Sequence, residues 1–306
     1  MTGSPPQFRL ITHPDEPVVG RVFLHHNGRR HWVPSVEHLA GYGLTLASTV
    51  QVPVEEILSI PRGGSIPREW PAWRGAQERG RDPLTIREIA CSPLSGSGIE
   101  FGAGTNPLPV PIHCEVRYAD VIGEVALKGA AYAEQGVDFV TLNLVSDMQT
   151  MDGAEEESLD FVAACHVIEH LPNPLLALRS AYRKLKTGGY LVLVVPDILR
   201  TFDRNRALTT LDHLISDYED PNRERDLRHY LEWFTRVNPV PPEALYGTVL
   251  QWHLDRRDIH YHTWTHASFQ EMVHWVQGNL DPWTSVWSHP GSSAREANEF
   301  YFVLEK

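Results

Sequence analysis

The chain has 306 residues, enough for one large α/β domain and a smaller unit, because single hydrophobic cores stop growing at about 250–300 residues. Its 39 acidic residues outnumber its 27 basic ones, and the formal net charge of −12 argues against a nucleic-acid partner, whose phosphates it would repel. The amino terminus lacks the apolar core of a signal peptide, and no run of about 18 apolar residues occurs, so we expect a cytoplasmic protein without a membrane partner.

Cysteine and histidine spacing gives no metal motif. The three cysteines are too far apart for a CxxC site and are interpreted as reduced packing residues. The sixteen histidines include no HExxH motif. Two groupings come nearest to a ligand set: Cys165 and His166 with His170, and His260 with His262. The sequence therefore predicts no metal site.

The first part of the chain is predicted to be β-rich. Asn27-Gly28 separates two β-rich runs, at 21–26 and 29–33, and is a strong hairpin signal because a type I′ turn needs a positive φ at both central residues. A short helix is predicted at 54–58, before a stretch rich in proline and glycine. We divide the chain into a β-rich N-terminal unit at 1–62, a linker at 63–79 and a larger domain at 80–306. The N-terminal unit is a candidate surface for a homo-oligomer.

From residue 98 onward, apolar strand cores alternate with helical segments, the pattern of βαβ units around a parallel sheet. Strands are predicted at 98–101, 116–119, 137–142, 159–164, 190–195, 283–287 and 300–304. Helices are predicted at 174–185, 209–218 and 267–277, the first of them with a C-cap at 187–189. The sequence thus predicts an α/β fold with a doubly wound, Rossmann-like seven-stranded sheet and a small β-rich N-terminal unit.

A glycine-rich turn follows the first of these strands. Glu100, Gly102 and Gly104 lie where an open α/β sheet binds cofactors, and glycine lets the backbone pass close to a ligand. A dinucleotide fingerprint would require a third glycine where this chain has Pro107, which has no backbone N–H to offer a pyrophosphate. This departure disfavours a nicotinamide-dependent dehydrogenase.

Polar residues also follow the next three strands. Asp120 ends the second strand, where a carboxylate can accept hydrogen bonds from ribose hydroxyls, unless it is simply a solvated strand end. Asp147 and Met148 follow the third strand, and the fourth runs into His166 within the phrase DFVAACHVIEHL at 160–171.

Taken in order, these segments resemble the class I S-adenosylmethionine-dependent methyltransferases over about two thirds of the chain, most specifically at 160–171 and in LKTGGYL at 185–191. Asn106 departs from the family's loop, where a third glycine is common. The resemblance implies S-adenosyl-L-methionine as methyl donor and S-adenosyl-L-homocysteine as product. It places Glu100, Gly102 and Gly104 at the methionine moiety, Asp120 at the ribose, Asp147 and Met148 at the adenine, and His166 at the cofactor's edge.

A narrower resemblance begins after the fifth strand. The segments at 195–218, 260–265 and 298–300 are similar to bacterial methyltransferases of glycan and natural-product sugar pathways, which implies a small-molecule acceptor such as a nucleotide-linked sugar. Three arginines in the first segment could hold a phosphate, or pair with Asp203 within the loop. These arginines are Arg200, Arg204 and Arg206.

Methyl transfer to a hydroxyl or a protonated amine also needs a base, and histidine suits this role near neutral pH. We predict His260 and His262, which would face one side of an extended segment, as the catalytic pair. His166 and His170 are the other candidates, and all four could instead be structural.

Two further alternatives stay open from the sequence alone. Residues 217–234 form either a helical lid over the acceptor or an amphipathic helix with its aromatic side chains in the core. The whole domain is either an enzyme or a catalytically inactive cofactor-binding module that serves assembly.

Overall fold

The computed structural model describes residues 8–13, 21–40, 42, 44–67, 83–123, 139–291 and 298–306. Near the amino terminus, four strands form a sheet in the order β3-β2-β1-β4. The elements here are β1 (Arg9–Thr12), β2 (Phe23–His26), β3 (Arg29–Trp32), α1 (Glu37–Ala40), β4 (Val50–Gln51) and α2 (Val54–Ser59). Asn27 and Gly28, with φ of 49° and 71°, turn β2 into β3, which confirms the predicted hairpin.

A second sheet contains seven strands in the order β10-β11-β9-β8-β5-β6-β7. They are β5 (Ser97–Phe101), β6 (Glu115–Asp120), β7 (Leu144–Val145), β8 (Leu159–Cys165), β9 (Leu185–Pro196), β10 (Ser285–His289) and β11 (Glu299–Glu305). Strands β5 to β9 are parallel to one another, and β11 runs antiparallel between β9 and β10. This arrangement confirms the predicted fold class. Strand order reverses between β5 and β8, and ligands of open α/β sheets bind at such a point.

Helices pack against this sheet, and further helices lie at its carboxyl edge. They are α3 (Pro83–Cys91), α4 (Pro174–Lys184), α5 (Leu211–Glu219), α6 (Arg223–Arg236), α7 (Pro242–Leu254) and α8 (His266–Asn279). Helix α4 begins where the Asn173 side chain accepts a hydrogen bond from the amide of Leu176, with proline at the first helical position. Helix α8 begins with a capping box between Thr265 and Ser268.

The core of the sheet lies on both of its faces. The apolar run 191–195 in β9 is at most 1% exposed. Leu191, Leu193 and Val195 join one apolar cluster, whereas Val192 and Val194 join the cluster on the opposite side. A parallel strand that is covered on both faces has a continuous apolar sequence instead of an alternating one. Burial on both sides therefore explains the apolar run at 191–195.

Three sequence predictions differ from the structure. The third strand was expected at 137–142, but residues 139–143 are not in a strand and β7 lies at 144–145; residues 137 and 138 lie outside the described part of the chain. Residues 185–189 begin β9 instead of capping a helix, because Leu159 of β8 pairs with Leu185. The segment 217–234 is two helices, since Pro221 and Asn222 end one and cap the next.

The N-terminal unit packs against the larger domain. Arg29 donates to the Asn143 side chain at 3.1 Å, and its guanidinium lies over the ring of Tyr118. His38 and Glu88, both buried, are hydrogen-bonded at 2.7 Å. Residues 63–67 pair with β3, whereas 68–82 lie outside the described residues. The proposed domain boundaries and the homo-oligomer stay predictions.

Two simpler expectations concern cysteine and the membrane. All three cysteines are free, and Cys91 is buried. Within the described ranges, no helix combines the length and the apolarity needed to cross a membrane.

Candidate active site

The glycine-rich loop after β5 lies at the point where strand order reverses. Gly102 and Gly104 have φ of 65° and 50°, a region that favours glycine. A Cβ added to Gly102 would lie 2.5 Å from Cγ2 of Val167, which follows the neighbouring strand β8. The loop therefore lies tightly against the end of β8, and glycine at position 102 is required both by its backbone angle and by the close contact.

Glu100 stabilises this loop through a hydrogen bond to the backbone of Leu108. Its side chain is fully buried, and Oε1 accepts a hydrogen bond from the amide of Leu108 at 2.7 Å. Oε2 is buried without a hydrogen-bond partner among the described residues. Burial raises the pKa of Glu100 to about 8, which favours a neutral carboxyl group at neutral pH. The residue holds the loop in place and keeps one buried carboxyl oxygen, Oε2, without a hydrogen-bond partner among the described residues.

The two aspartates predicted to contact the cofactor lie at the same edge of the sheet. Asp120 is half-buried at the carboxyl end of β6, and its Oδ1 accepts from the amide of Ile122 at 3.2 Å. Asp147 accepts from both the amide and the side chain of Gln149. The Met148 side chain is 1% exposed and packs in the core, and its predicted contact with the adenine stays a prediction.

His166 lies at the end of β8 with a φ of 53°, a strained conformation for a residue with a side chain. Its Nε2 lies 3.0 Å from Oε2 of Glu299. Arg87 donates to both oxygens of Glu299, and the Tyr301 hydroxyl donates to one. Burial alone would raise the pKa of Glu299, but the hydrogen bonds from His166 and Arg87 lower it to about 2. An ionised carboxylate therefore orients His166 toward the cavity.

A cavity of about 560 Å³ opens at the carboxyl edge, next to His166. Its lining residues are His166, Pro196, Arg200, Thr201, Phe202, Arg204, Asn205, Arg236, Val237, His260 and Asn298. The lining contains three arginines, and among its described residues there is no aspartate or glutamate. Two of the arginines, Arg200 and Arg204, are those expected from the sequence. The cavity is therefore suited to an anionic ligand.

Of the two predicted catalytic histidines, His260 lines this cavity. Its Nδ1 lies 2.6 Å from Oδ2 of Asp203, and its ring contacts Phe202 and Trp233. Burial raises the pKa of Asp203, but hydrogen bonds and charge from His260 and Arg206 lower it overall. The arrangement is that of an imidazole oriented by an ionised carboxylate.

Arg206, the third predicted arginine, has an internal position. Its side chain is 1% exposed and donates to Asp203, to Glu232 and to the backbone carbonyls of His260 and Tyr261. The alternative of pairing with Asp203 within the loop therefore describes this arginine. It fixes the carboxylate that orients His260, and its donors are not offered to the cavity.

The remaining histidines have other neighbours. His262 is fully buried, contacts the rings of His229 and Trp264, and does not line the cavity, so the expectation that both imidazoles face one side is not met. His170 is hydrogen-bonded to Asp258 at 2.8 Å. Burial lowers the pKa of His170, but this hydrogen bond and the charge of Glu169 raise it to about 9. A protonated His170 is poorly suited to accept a proton at neutral pH.

The sequence analysis assigned no role in the site to four of its residues. Asp203 and Arg236 lie close to predicted site residues in sequence or in space, but only folding shows which of them face the cavity. Arg87 and Glu299 are 212 residues apart, and no local pattern connects them. Glutamate at the start of a buried strand, at position 299, is the one unusual feature that the sequence offered, because buried carboxylates need partners.

A family model described as a methyltransferase domain matches residues 74–276. Among solved structures, the chain is similar to CurJ carbon methyltransferase, with 15% identity over 72% of this chain and 53% of that one and a TM-score of 0.40. It is similar to the CMeT domain of citrinin polyketide synthase, with 13% identity, coverage of 72% and 50%, and a TM-score of 0.38. A methyltransferase from Thermotoga maritima matches at 16% identity, coverage of 70% and 84%, and a TM-score of 0.36.

The chain thus spans about half the length of the first two of these structures. These scores are too low to bear on the acceptor. None of the curated proteins matches.

Proposed function

Because this chain belongs to the S-adenosylmethionine-dependent methyltransferases, whose domain covers two thirds of it, we propose that it methylates a hydroxyl or an amine of an anionic small molecule. The proposed acceptor is a nucleotide-linked sugar of glycan or natural-product biosynthesis. One observation carries the proposal. His260, oriented by Asp203, lines the same cavity as Arg200, Arg204 and Arg236. A group that can take a proton and a set of cations that can hold a phosphate are thus placed side by side.

Beside this cavity, at the carboxyl edge of the sheet, the described residues fit S-adenosylmethionine. Gly102 and Gly104 bring bare backbone to the point where strand order reverses, and Glu100 retains a buried oxygen without a partner. Asp120, at the end of β6, is placed to accept from ribose hydroxyls. When bound there, the cofactor supplies a methyl group on a sulfonium, which is electrophilic without further activation.

In this proposal, the chain's own residues position the acceptor and remove its proton. Nδ1–H of His260 donates to Asp203, which leaves a lone pair on Nε2 to accept a proton from the acceptor. The imidazolium that forms is stabilised by the Asp203 carboxylate, which Arg206 holds in place. Deprotonation by a positioned base typically contributes about 10²–10⁴-fold in rate.

The arginines of the cavity are proposed to hold the phosphate groups. Arg204 and Arg236 are exposed at the cavity, and Arg200 lies beside Asp197 at 3.9 Å. Guanidinium groups bind phosphate oxygens with two parallel hydrogen bonds, which fixes both the position and the direction of the ligand. The sugar would then be directed toward His260 and His166, where the cavity meets the cofactor edge.

The proposal is tested by measuring S-adenosylhomocysteine release from the purified chain with UDP- and dTDP-linked sugars and with the corresponding free sugars. We expect turnover with at least one nucleotide sugar and little with its free sugar. Arg204→Gln should raise KM for that sugar tenfold or more, and kcat should change little. Arg228→Gln, an exposed arginine on α6 outside the cavity lining, is the matched control and should behave as wild type.

Two results would overturn it. If the chain binds S-adenosylmethionine by calorimetry but methylates none of the nucleotide sugars, the proposed acceptor class is wrong. If it does not bind the cofactor, the domain is the inactive module that the sequence left open.

A further inference from the structure

Three histidines and one aspartate converge between α5, α6 and the segment that follows α7, and we propose that they bind one divalent transition-metal ion, with zinc as the expected metal. They are His213 and Asp217 of α5, His229 of α6, and His262 of the segment that follows α7. Asp217, His229 and His262 are buried, and one potential ligand atom from each of the four residues lies within 4.8 Å of all the others. The proposal is independent of the methylated acceptor.

Distances in the cluster approach those around a metal. His213 Nε2 lies 3.3 Å from His229 Nε2 and 2.9 Å from Asp217 Oδ2. Bonds of about 2.0–2.1 Å to a tetrahedral zinc ion place neighbouring ligand atoms roughly 3.3 Å apart. Small side-chain movements would therefore bring all four atoms onto one ion.

The backbone already fixes two of the imidazoles in the orientation that ligation requires. His262 Nε2 lies 3.2 Å from the carbonyl oxygen of Pro172, to which it donates, so Nδ1 carries the lone pair. This Nδ1 is buried without a hydrogen-bond partner among the described residues. His229 hydrogen-bonds the backbone carbonyl of Tyr261, while its Nε2 faces His213. Histidines that ligate metals typically donate their second nitrogen to such a carbonyl.

Without an ion, the cluster cannot satisfy its own acceptors. A single N–H on His213 Nε2 can serve either His229 Nε2 or Asp217 Oδ2 but not both in full, and neither arrangement reaches the Nδ1 of His262. Leaving buried acceptors without a hydrogen-bond partner is unfavourable. One cation at the centre would satisfy all of these lone pairs.

Burial and neighbouring charges favour the metal-binding charge state in three of the four groups, Asp217, His229 and His262. Burial lowers the pKa of His229 to about 4, and burial together with the charge of His229 lowers the pKa of His262. Burial raises the pKa of Asp217, but hydrogen bonding and charge from His213 lower it overall. Neutral imidazole and ionised carboxylate are the ligating forms. Arg225 holds the other oxygen of Asp217 and is itself paired with Asp220.

Two other groups, each of three potential metal ligands, are less suited to a metal ion. In the group of Cys165, His166 and Glu299, the carboxylate already accepts from Arg87, which is a cation belonging to the protein. In the group of Glu169, His170 and His260, each histidine has its own aspartate, Asp258 or Asp203. The four-residue cluster differs from both in offering a fourth ligand and in having an imidazole nitrogen, Nδ1 of His262, that is buried without a hydrogen-bond partner in the described residues.

Four protein ligands indicate a closed, structural site. Such an ion would join α5 and α6 to the segment that carries His260, because His262 lies two residues further along the chain. It would thereby fix the wall of the cavity that holds the proposed base. Imidazole-rich sites suit zinc and other late first-row metals over magnesium or calcium.

The experiment uses the full chain without a polyhistidine tag. The protein is incubated with Zn²⁺ and dialysed, and its zinc content is measured by elemental mass spectrometry. We expect about one equivalent of zinc per chain in the wild type. His229→Gln and Asp217→Asn should retain at least tenfold less, while circular dichroism confirms that each is folded. His274→Gln, an exposed histidine on α8, is the matched control and should retain the wild-type content.

Cobalt replacement tests the site without any variant. Co²⁺ bound by the four predicted ligands should give the intense visible absorption of a tetrahedral ion, and excess Zn²⁺ should abolish it. Retention of zinc by a folded His229→Gln chain at the wild-type level would overturn the proposal. Failure of the wild type to hold either Zn²⁺ or Co²⁺ through dialysis would overturn it as well.

Discussion

Nδ1 of His260 lies 2.6 Å from Oδ2 of Asp203, a residue 57 positions earlier in the chain, and the second oxygen of the same carboxylate accepts from Arg206. The carboxylate thus has one fixed partner on each side. A neutral imidazole in this position has its proton on Nδ1 and its lone pair on Nε2.

Replacing His260 by Gln should lower kcat at least about 10²-fold, because glutamine keeps a polar side chain but accepts no proton at neutral pH. Affinity for S-adenosylhomocysteine, measured by calorimetry, should stay near wild type, since we propose that His260 contacts the acceptor and not the cofactor. Asp203→Asn should also lower kcat and shift the pH–rate profile, because an amide does not stabilise the imidazolium.

His274→Gln is the control for this pair of variants, because His274 is exposed on α8 and does not line the cavity. Near-normal kcat in His260→Gln would remove His260 from proton transfer and leave an acceptor amine that arrives neutral and needs only placement.

Asp120 gives a test of cofactor binding alone. Asp120→Ala should weaken the binding of S-adenosylmethionine by about 1–3 kcal/mol, the range expected for losing hydrogen bonds to a charged group. Glu115→Ala, at the exposed opposite end of the same strand β6, should leave the affinity unchanged in the same calorimetric titration. Equal affinity in the two variants would show that the carboxylate of Asp120 does not contact the ribose.

Local signals predicted much of the fold. Short, mostly apolar segments predicted the buried strands at 98–101, 159–164 and 190–195, because such a segment is recognised without knowing which strand it pairs with. The strand expected at 137–142 was misplaced, since β7 is only two residues long and its position depends on pairing with β6. Where pairing decides an element, as at Leu185 opposite Leu159, sequence periodicity does not predict it.

The site was predictable only where chain position determines function. The loop at 102–104 and Asp120 follow their strands directly, so their place at the sheet edge follows from the strand order. Arg204 lines the cavity, whereas Arg206, two residues later, is buried against Asp203. This difference depends on the turn of the backbone between them and on partners distant in sequence. The four-residue histidine and aspartate cluster likewise draws on three segments and shares no spacing motif.

Gly102 gives a prediction about backbone strain. Gly102→Ala should lower the free energy of unfolding by roughly 1–3 kcal/mol and weaken cofactor binding, because its φ is 65° and the new Cβ would approach Val167 Cγ2 to 2.5 Å. Adding Val167→Ala should recover only part of this loss, since it relieves the contact but leaves the backbone angle. Urea denaturation of the single and double variants measures both contributions.

Gly247→Ala is the opposite case and serves as the control. Gly247 lies inside helix α7, and a Cβ there meets nothing within 4 Å. The substitution should raise stability by about 0.5–1 kcal/mol, the helix-propensity difference between the two residues. A Gly102→Ala chain as stable as Gly247→Ala would contradict the strained loop.

Glu100 makes stability depend on pH in a definite direction. Its pKa is raised to about 8 in the folded chain because of burial, whereas the pKa of an unfolded glutamate lies near its ordinary value of 4.5. Below the unfolded value both states are protonated, so the stability contributed by the neutral carboxyl group is fully present. As pH rises toward 8, the unfolded state loses its proton first, and this contribution is lost.

Glu100→Gln cannot ionise, and its side-chain oxygen can still accept from Leu108. The free energy of unfolding of this variant, relative to wild type, should therefore rise with pH between about 4.5 and 8, with a slope of at most about 1.4 kcal/mol per pH unit. Any cost of the new amide N–H shifts the whole curve without changing its slope. Urea titrations across this range give the slope, and Glu115→Gln, at an exposed glutamate, should run parallel to wild type. A Glu100→Gln curve that is also parallel to wild type would mean that Glu100 is already ionised in the folded chain and is balanced by a charge near its unpaired oxygen.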